Sequence, residues 1–254
     1  MTQRFEENAD LDNFYSTESL EEWQQIIGAN LHYHFGYFRG SEDLETGLKQ
    51  TVRNFYPYIP RGSQVLDIGC GWGGPGKMLV EECGCAVEGI TISTKQATYC
   101  QSIGLNVRCQ DVEHDEINEN YDILFLLEFL SHIREKADLL SRLRPLATRL
   151  ILSVNCVADN YWGERITFGK SMEFCTVSEL IYHVESAGWK IKWMQDRRFY
   201  SLRTFPLWKE NLDRIYGDRQ PPGQLGILRS HIDAALRDPV KWSLSFPLID
   251  IVAD

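Results

Sequence analysis

The stretch VLDIGCGWGG, Val65 to Gly74, constrains this chain most. A hydrophobic strand pattern runs straight into Asp67, then Gly69, Gly71, Gly73 and Gly74, and a helical pattern follows. Glycine has no Cβ to obstruct a ligand and tolerates positive φ, so such a loop lets backbone come very close to a bound molecule. A helix N-terminus behind the loop adds unpaired N–H groups and a positive dipole end. The turn is built to hold a nucleotide-like molecule against the carboxyl end of a first strand.

The 254 residues suit one large α/β domain or two small ones. Hydrophobic residues make up 43% and charged residues 24%, enough for a packed core and against global disorder. A formal net charge of −10 argues against a non-specific nucleic-acid surface. No apolar run reaches the length of a membrane span, and the polar, acidic start MTQRFEENADLDNF is no secretory signal. The seven cysteines are odd in number and irregular in spacing, which reads as reduced thiols in the cytoplasm. Neither Cys83-Gly84-Cys85 nor His32-x-His34 has the further ligands a metal site needs, so no metal is expected.

Residues 1–60 read as an N-terminal helical cap. ESLEEWQQIIG is one helix closed by Gly28, and Leu44, Leu48, Val52 and Phe55 mark a second. LHYHFGYFRG between them reads as irregular. From residue 61 an α/β alternation sets in, with strands at Gln64–Ile68, Ala86–Ile92, Asn106–Cys109, Tyr121–Leu127 and Arg149–Asn155. Ser93 and Thr176 cap the helices that follow them. Trp189–Gln195 is a further strand, residues 199–240 are mostly helical, and Trp242–Val252 reads as the final strand. The alternation implies a twisted, mostly parallel sheet with helices on both faces and ligands at the carboxyl ends of its strands.

Two cofactor classes use the glycine turn. Gly69, Gly71 and Gly74 fit the dinucleotide fingerprint G-x-G-x-x-G. Asp67, Gly69, Gly71 and Gly73 fit D-x-G-x-G-x-G, which resembles class I S-adenosylmethionine (SAM) methyltransferases. A carboxylate there can meet the cationic amino group of a methionine moiety and would repel a pyrophosphate. Together with VEGITISTKQ, the loop resembles the branch that includes cyclopropane fatty acid synthases, tocopherol and plant alkaloid N-methyltransferases, and geranyl diphosphate C-methyltransferases. In that branch the second strand ends in G-x-T-x-S-x-x-Q, here Gly89, Thr91, Ser93 and Gln96.

The resemblance implies a Rossmann-like fold with a seven-stranded, mostly parallel sheet, a core over 61–254, and acceptor lids at about 156–175 and 199–240. It implies SAM as cofactor, with Thr91, Ser93 and Gln96 around the ribose and Asp111 and Val112 at the adenine. For Asp111 a solvated acidic turn is the other reading. Tyr37 of the aromatic segment is the candidate to fold over the methionine end. Glu128 and His132 follow the fourth strand, between cofactor and acceptor. Either they orient and deprotonate the acceptor, or Glu128 packs under the cofactor and His132 caps a helix. Tyr161, Trp162, Phe168, Phe174, Phe199, Tyr200, Phe205 and Trp208 lie in lid segments, where aromatics enclose an apolar or cationic acceptor or simply fill core.

The expected function is methyl transfer to oxygen, nitrogen or carbon of a small, partly apolar natural-product-type acceptor, a carboxylate on a modified peptide included. Neither a nucleic-acid partner nor stable membrane insertion is expected. The chain is either a complete small enzyme or a domain of a longer protein. An NAD(P)-dependent oxidoreductase and a non-catalytic SAM-fold binding protein are the rival classes, since fold alone does not fix function.

Overall fold

The computed structural model describes residues 19–167 and 172–254. Seven strands form one sheet: β1 (Gln64–Ile68), β2 (Ala86–Thr91), β3 (Asn106–Cys109), β4 (Tyr121–Leu127), β5 (Ala147–Asn155), β6 (Ile191–Asp196) and β7 (Leu248–Ala253). Their order is β3-β2-β1-β4-β5-β7-β6. The first five run parallel, and β7 pairs antiparallel with both β5 and β6. The chain winds from β1 outward through β2 to β3, then restarts on the other side at β4. The switch point between β1 and β4 opens a crevice at their carboxyl ends, where such sheets bind ligands.

Side-chain alternation explains why both faces are covered. Leu66, Ile68, Leu124, Leu126, Leu150 and Leu152 point to one face, which packs on α5 (Lys136–Leu143) and α6 (Val177–Ser186). Val65, Ile123, Phe125 and Ile151 point to the other, under α3 (Gly74–Cys83) and α2 (Leu44–Arg53). Helix α4 (Thr94–Ser102) starts at the Ser93 cap.

A second, aromatic core forms apart from the two faces of the sheet. Trp23 and Ile27 of α1 (Leu20–Ile27) join Phe205, Trp208 and Leu212 of α8 (Thr204–Tyr216) and Leu225 and Ile232 of α9 (Gly223–Arg237). Two short helices flank these, α7 (Arg198–Ser201) and α10 (Pro239–Ser245). The last corrects the sequence reading. Trp242 to Ser245 are helical, because Asp238 caps the turn by accepting from Lys241 N–H, and the strand begins only after Pro247. Phe168 lies outside the described residues.

Gly47 sits within α2, where alanine is ordinarily the better helix former by about 1 kcal/mol. A Cβ there would land on the Phe38 ring. Gly47→Ala is therefore expected to destabilise, by about 1–3 kcal/mol from overpacking. A higher melting temperature would contradict this.

One buried guanidinium joins four parts of the fold. Arg197, fully buried after β6, donates to Asp250 of β7 at 2.9 Å, Ser153 of β5 at 2.9 Å, Glu128 after β4 at 2.8 Å and the Phe35 carbonyl at 3.0 Å. Removing it strands two buried carboxylates. Arg197→Met should cost about 3–5 kcal/mol in urea unfolding. Arg53→Ala, which breaks only the half-exposed pair with Glu82, should cost about 1 kcal/mol or less.

Candidate functional site

The glycine loop folds back on β2: Gly69 and Cys70 N–H both donate to the Ile90 carbonyl. Gly69, Gly71 and Gly73 all have positive φ, at 73°, 54° and 78°. Their surroundings differ. A Cβ on Gly69 would enter the Phe129 ring and one on Gly73 would strike Leu105, whereas Gly71 faces open space. Gly71 thus presents bare backbone to a cavity of about 470 Å³ that runs along the carboxyl ends of β1, β2 and β4. Asp67, Gly69, Gly71, Thr91, Gln96, Asp111, Val112, Glu128 and His132 all contribute to its wall. Gly73 and Ser93 are buried and do not.

Asp67 is buried at the loop's base, and its Oδ2 meets no hydrogen-bond donor among the described residues. Burial alone pushes its carboxyl up from 3.8 to about 7. Along β2, Thr91 Oγ1 donates to Gln96 Oε1 at 2.7 Å, and Ser93 Oγ accepts from Gln96 N–H as helix cap. Ser93 therefore fixes Gln96 from below, and the Gln96 amide nitrogen remains to donate to a ligand. Asp111 reaches the cavity while its carboxylate accepts from Glu113 N–H and engages His114 Nδ1 at 2.6 Å. The acidic turn thus holds itself together as it forms part of the wall.

Glu128 takes φ of 55°, a conformation that strains a residue with a Cβ. Its N–H donates to the Ser153 carbonyl. Its Oε1 accepts from Phe35 N–H at 3.0 Å and from Arg197, and its Oε2 from Asn155 at 3.2 Å. Burial raises its pKa, and the Arg197 charge works against that rise. His132 closes a 3₁₀ turn over Leu130–His132.

Tyr37 is not where the sequence reading put it. It lies off the cavity, stacked on Tyr200 with centroids 4.8 Å apart, and its hydroxyl accepts from Gln195. The cause is tertiary anchoring from Gly36 onward: its N–H donates to Thr204 Oγ1, and Tyr37 and Phe38 N–H then donate to the Gly47 and Tyr200 carbonyls. Tyr33, His34 and Phe35 take the wall position instead. His32 and His34 are buried and bond to each other at 3.1 Å, and His34 Nδ1 donates to the Phe35 carbonyl. Burial holds His32 down at about 3 and His34 well below its usual range, so both are neutral at pH 7. No group of three or more His, Cys, Asp or Glu side chains among the described residues is arranged to hold a metal.

Of the aromatics in the expected lid segments, Tyr161, Phe174, Phe205 and Trp208 reach the cavity. Trp162 and Phe199 point to solvent. Trp242 and Phe246 also line it, which a strand reading of that segment concealed. Five carboxylates stand in the wall: Asp67, Asp111, Glu113, Glu128 and Glu164. Besides histidines, the one basic side chain there among the described residues is Arg198, bound to Asp196 at 2.6 Å and to the Ser243 carbonyl at 2.8 Å. The cavity is acidic and aromatic.

The mycolic acid cyclopropane synthetase family profile matches residues 14–139. Cyclopropane-fatty-acyl-phospholipid synthase of Escherichia coli is 25% identical over 136 residues, 51% of this chain and 33% of that protein. The chain thus spans about a third of the length of that relative. The 27-O-demethylrifamycin SV methyltransferase of Amycolatopsis mediterranei is 27% identical over 235 residues, covering 83% of this chain and 82% of the relative. In fold, the cyclopropane synthase MmaA2 from Mycobacterium tuberculosis superposes with a TM-score of 0.83 at 17% identity, over 97% of this chain and 98% of that one. Sequence and architecture agree, and the chain belongs to the class I SAM-dependent methyltransferases, in the branch that holds the cyclopropane fatty acid synthases.

Proposed function

We propose that this chain methylates a small, partly apolar, natural-product-type acceptor that is neutral or cationic where it docks. The observation that carries the reading is the single cavity that joins the glycine loop to an aromatic chamber. Its acidic wall supports a cationic cofactor. The same wall disfavours the carboxylate of a modified peptide, because its arginine is already committed. An oxygen, nitrogen or carbon nucleophile on an apolar frame fits best. The likeness to a rifamycin methyltransferase over most of both chains supports this class.

Bound SAM supplies a methyl group on a positively charged sulfur. Asp67 is suited to its ammonium, since a buried carboxylate without a donor gains most from a cation. Gly71 lets backbone approach, Thr91 and Gln96 serve the ribose, and Asp111 with Val112 serves the adenine. Glu128 is proposed as a positioning residue. Held by Arg197, Asn155 and Phe35 N–H, it fixes the wall between cofactor and acceptor and is a poor base. His132 is the proposed proton acceptor where the nucleophile carries a proton to lose. The aromatic rings align the acceptor and exclude water.

Calorimetry with S-adenosylhomocysteine (SAH) is expected to give micromolar binding. With SAM, mass spectrometry should find a gain of one methyl on neutral or amine acceptors. SAH binding without any methylated product would leave a binding protein and sink the catalytic reading.

Cofactor affinity should also depend on pH. In the empty protein Asp67 holds a proton below about pH 7, and a docking ammonium must displace it. Affinity then falls as pH drops through 7, by about tenfold between pH 8 and pH 6 for one proton released. Asp67→Asn should bind more weakly and lose this dependence. A wild-type profile that is flat over that range would remove the ammonium from Asp67.

A further inference from the structure

Trp208 carries a donor that the fold does not use. Its side chain is 2% exposed and stands in the cavity wall, yet its Nε1–H finds no acceptor among the described residues. Buried indole N–H groups are ordinarily paired, because an unpaired donor forfeits its hydration for nothing. The ring cannot turn to seek a partner. It is held by Phe35 at 5.5 Å and Tyr33 at 6.1 Å.

These rings continue outward. Phe35 meets Phe205 at 5.1 Å, Phe205 meets Trp242 at 5.5 Å, and Trp242 meets Phe246 at 4.4 Å. Trp208 therefore belongs to a run of aromatic rings that continues through Phe205, Trp242 and Phe246 to Tyr161. An indole N–H only donates, so it selects a lone pair and rejects a protonated amine. A charged oxygen would need a cation as well, and Arg198 is occupied by Asp196 and the Ser243 carbonyl. What fits is an uncharged oxygen.

We propose that Trp208 Nε1–H is a specificity contact for the acceptor, donating to a carbonyl, ether or hydroxyl oxygen on its apolar frame. This rests on the methyltransferase reading above and narrows its acceptor class. A hydrogen bond of this kind selects because the analogue lacking the oxygen leaves the donor unpaired.

The test uses SAH-loaded protein and two small probes of similar shape, acetophenone and ethylbenzene. Indole Nε1–H resonances are followed in ¹H–¹⁵N spectra, with Trp208 assigned by its loss in Trp208→Phe. The Trp208 resonance is expected to move downfield with acetophenone and not with ethylbenzene. Wild type should bind the ketone about fivefold more tightly than the hydrocarbon, and Trp208→Phe should lose that preference while keeping its SAH affinity. Trp23 Nε1 also lacks a partner but lies off the cavity, so its resonance is the internal control. A weaker SAH affinity in Trp208→Phe assigns the donor to the cofactor and overturns the proposal. So does a Trp208 resonance unmoved by acetophenone up to its solubility limit. Either result leaves the methyl-transfer reading standing, since that depends on SAH binding and product mass in the wild type.

Discussion

The buried Arg197 guanidinium is the interaction on which the rest of this structure leans. It satisfies Asp250, Ser153, Glu128 and the Phe35 carbonyl at once. Those four groups belong to the last strand, the fifth strand, the loop after the fourth and the N-terminal segment. None of them is adjacent to another in sequence. A charge taken out of water is tolerable only when fully paired and hydrogen-bonded, so the network forms completely or it opposes folding. Its completeness fixes the N-terminal segment against the sheet. That in turn brings Tyr33, His34 and Phe35 to the cavity and holds Glu128 in its strained conformation.

Two carboxylates at neighbouring strand ends show how local surroundings divide one chemistry. Asp67 and Glu128 are both buried, and burial alone would raise both. Glu128 has Arg197 beside it and three donors on its oxygens. Asp67 has an unpartnered oxygen and rises to about 7. Glu128 is therefore already answered by the protein, whereas Asp67 is answered only by a ligand. The switch point between β1 and β4 puts both at one crevice, in the proposed reading one as scaffold and the other as receptor.

Legibility from sequence followed the range of each signal. The glycine loop, the Ser93 cap and the strands β1 to β5 rest on neighbours within a few residues, and they were readable. Trp242 to Ser245 was misread because WSLSF alternates like a strand, while the capping Asp238 lies upstream of it. Tyr37 and Tyr33 look equivalent in HYHFGYF. Only tertiary bonds, among them Gly36 N–H to Thr204, 168 residues away, turn one of them off the cavity. Arg197 gave no signal at all: it is one of two adjacent arginines, and its carboxylates lie 53 and 69 residues distant.

The fold itself leaves the reaction open, since one glycine turn and one sheet order serve many acceptors. What narrows it is the mismatch between what the walls supply and what they satisfy internally. The arginine at the wall is consumed by Asp196, Glu128 is consumed by Arg197, and His34 is consumed by His32 and the Phe35 carbonyl. Asp67 Oδ2 and the Trp208 N–H are left over at the same cavity. One asks for a cation and the other for a lone pair. In the proposed reading, a cofactor with an ammonium and an acceptor with an uncharged oxygen answer both demands, and neither could substitute for the other.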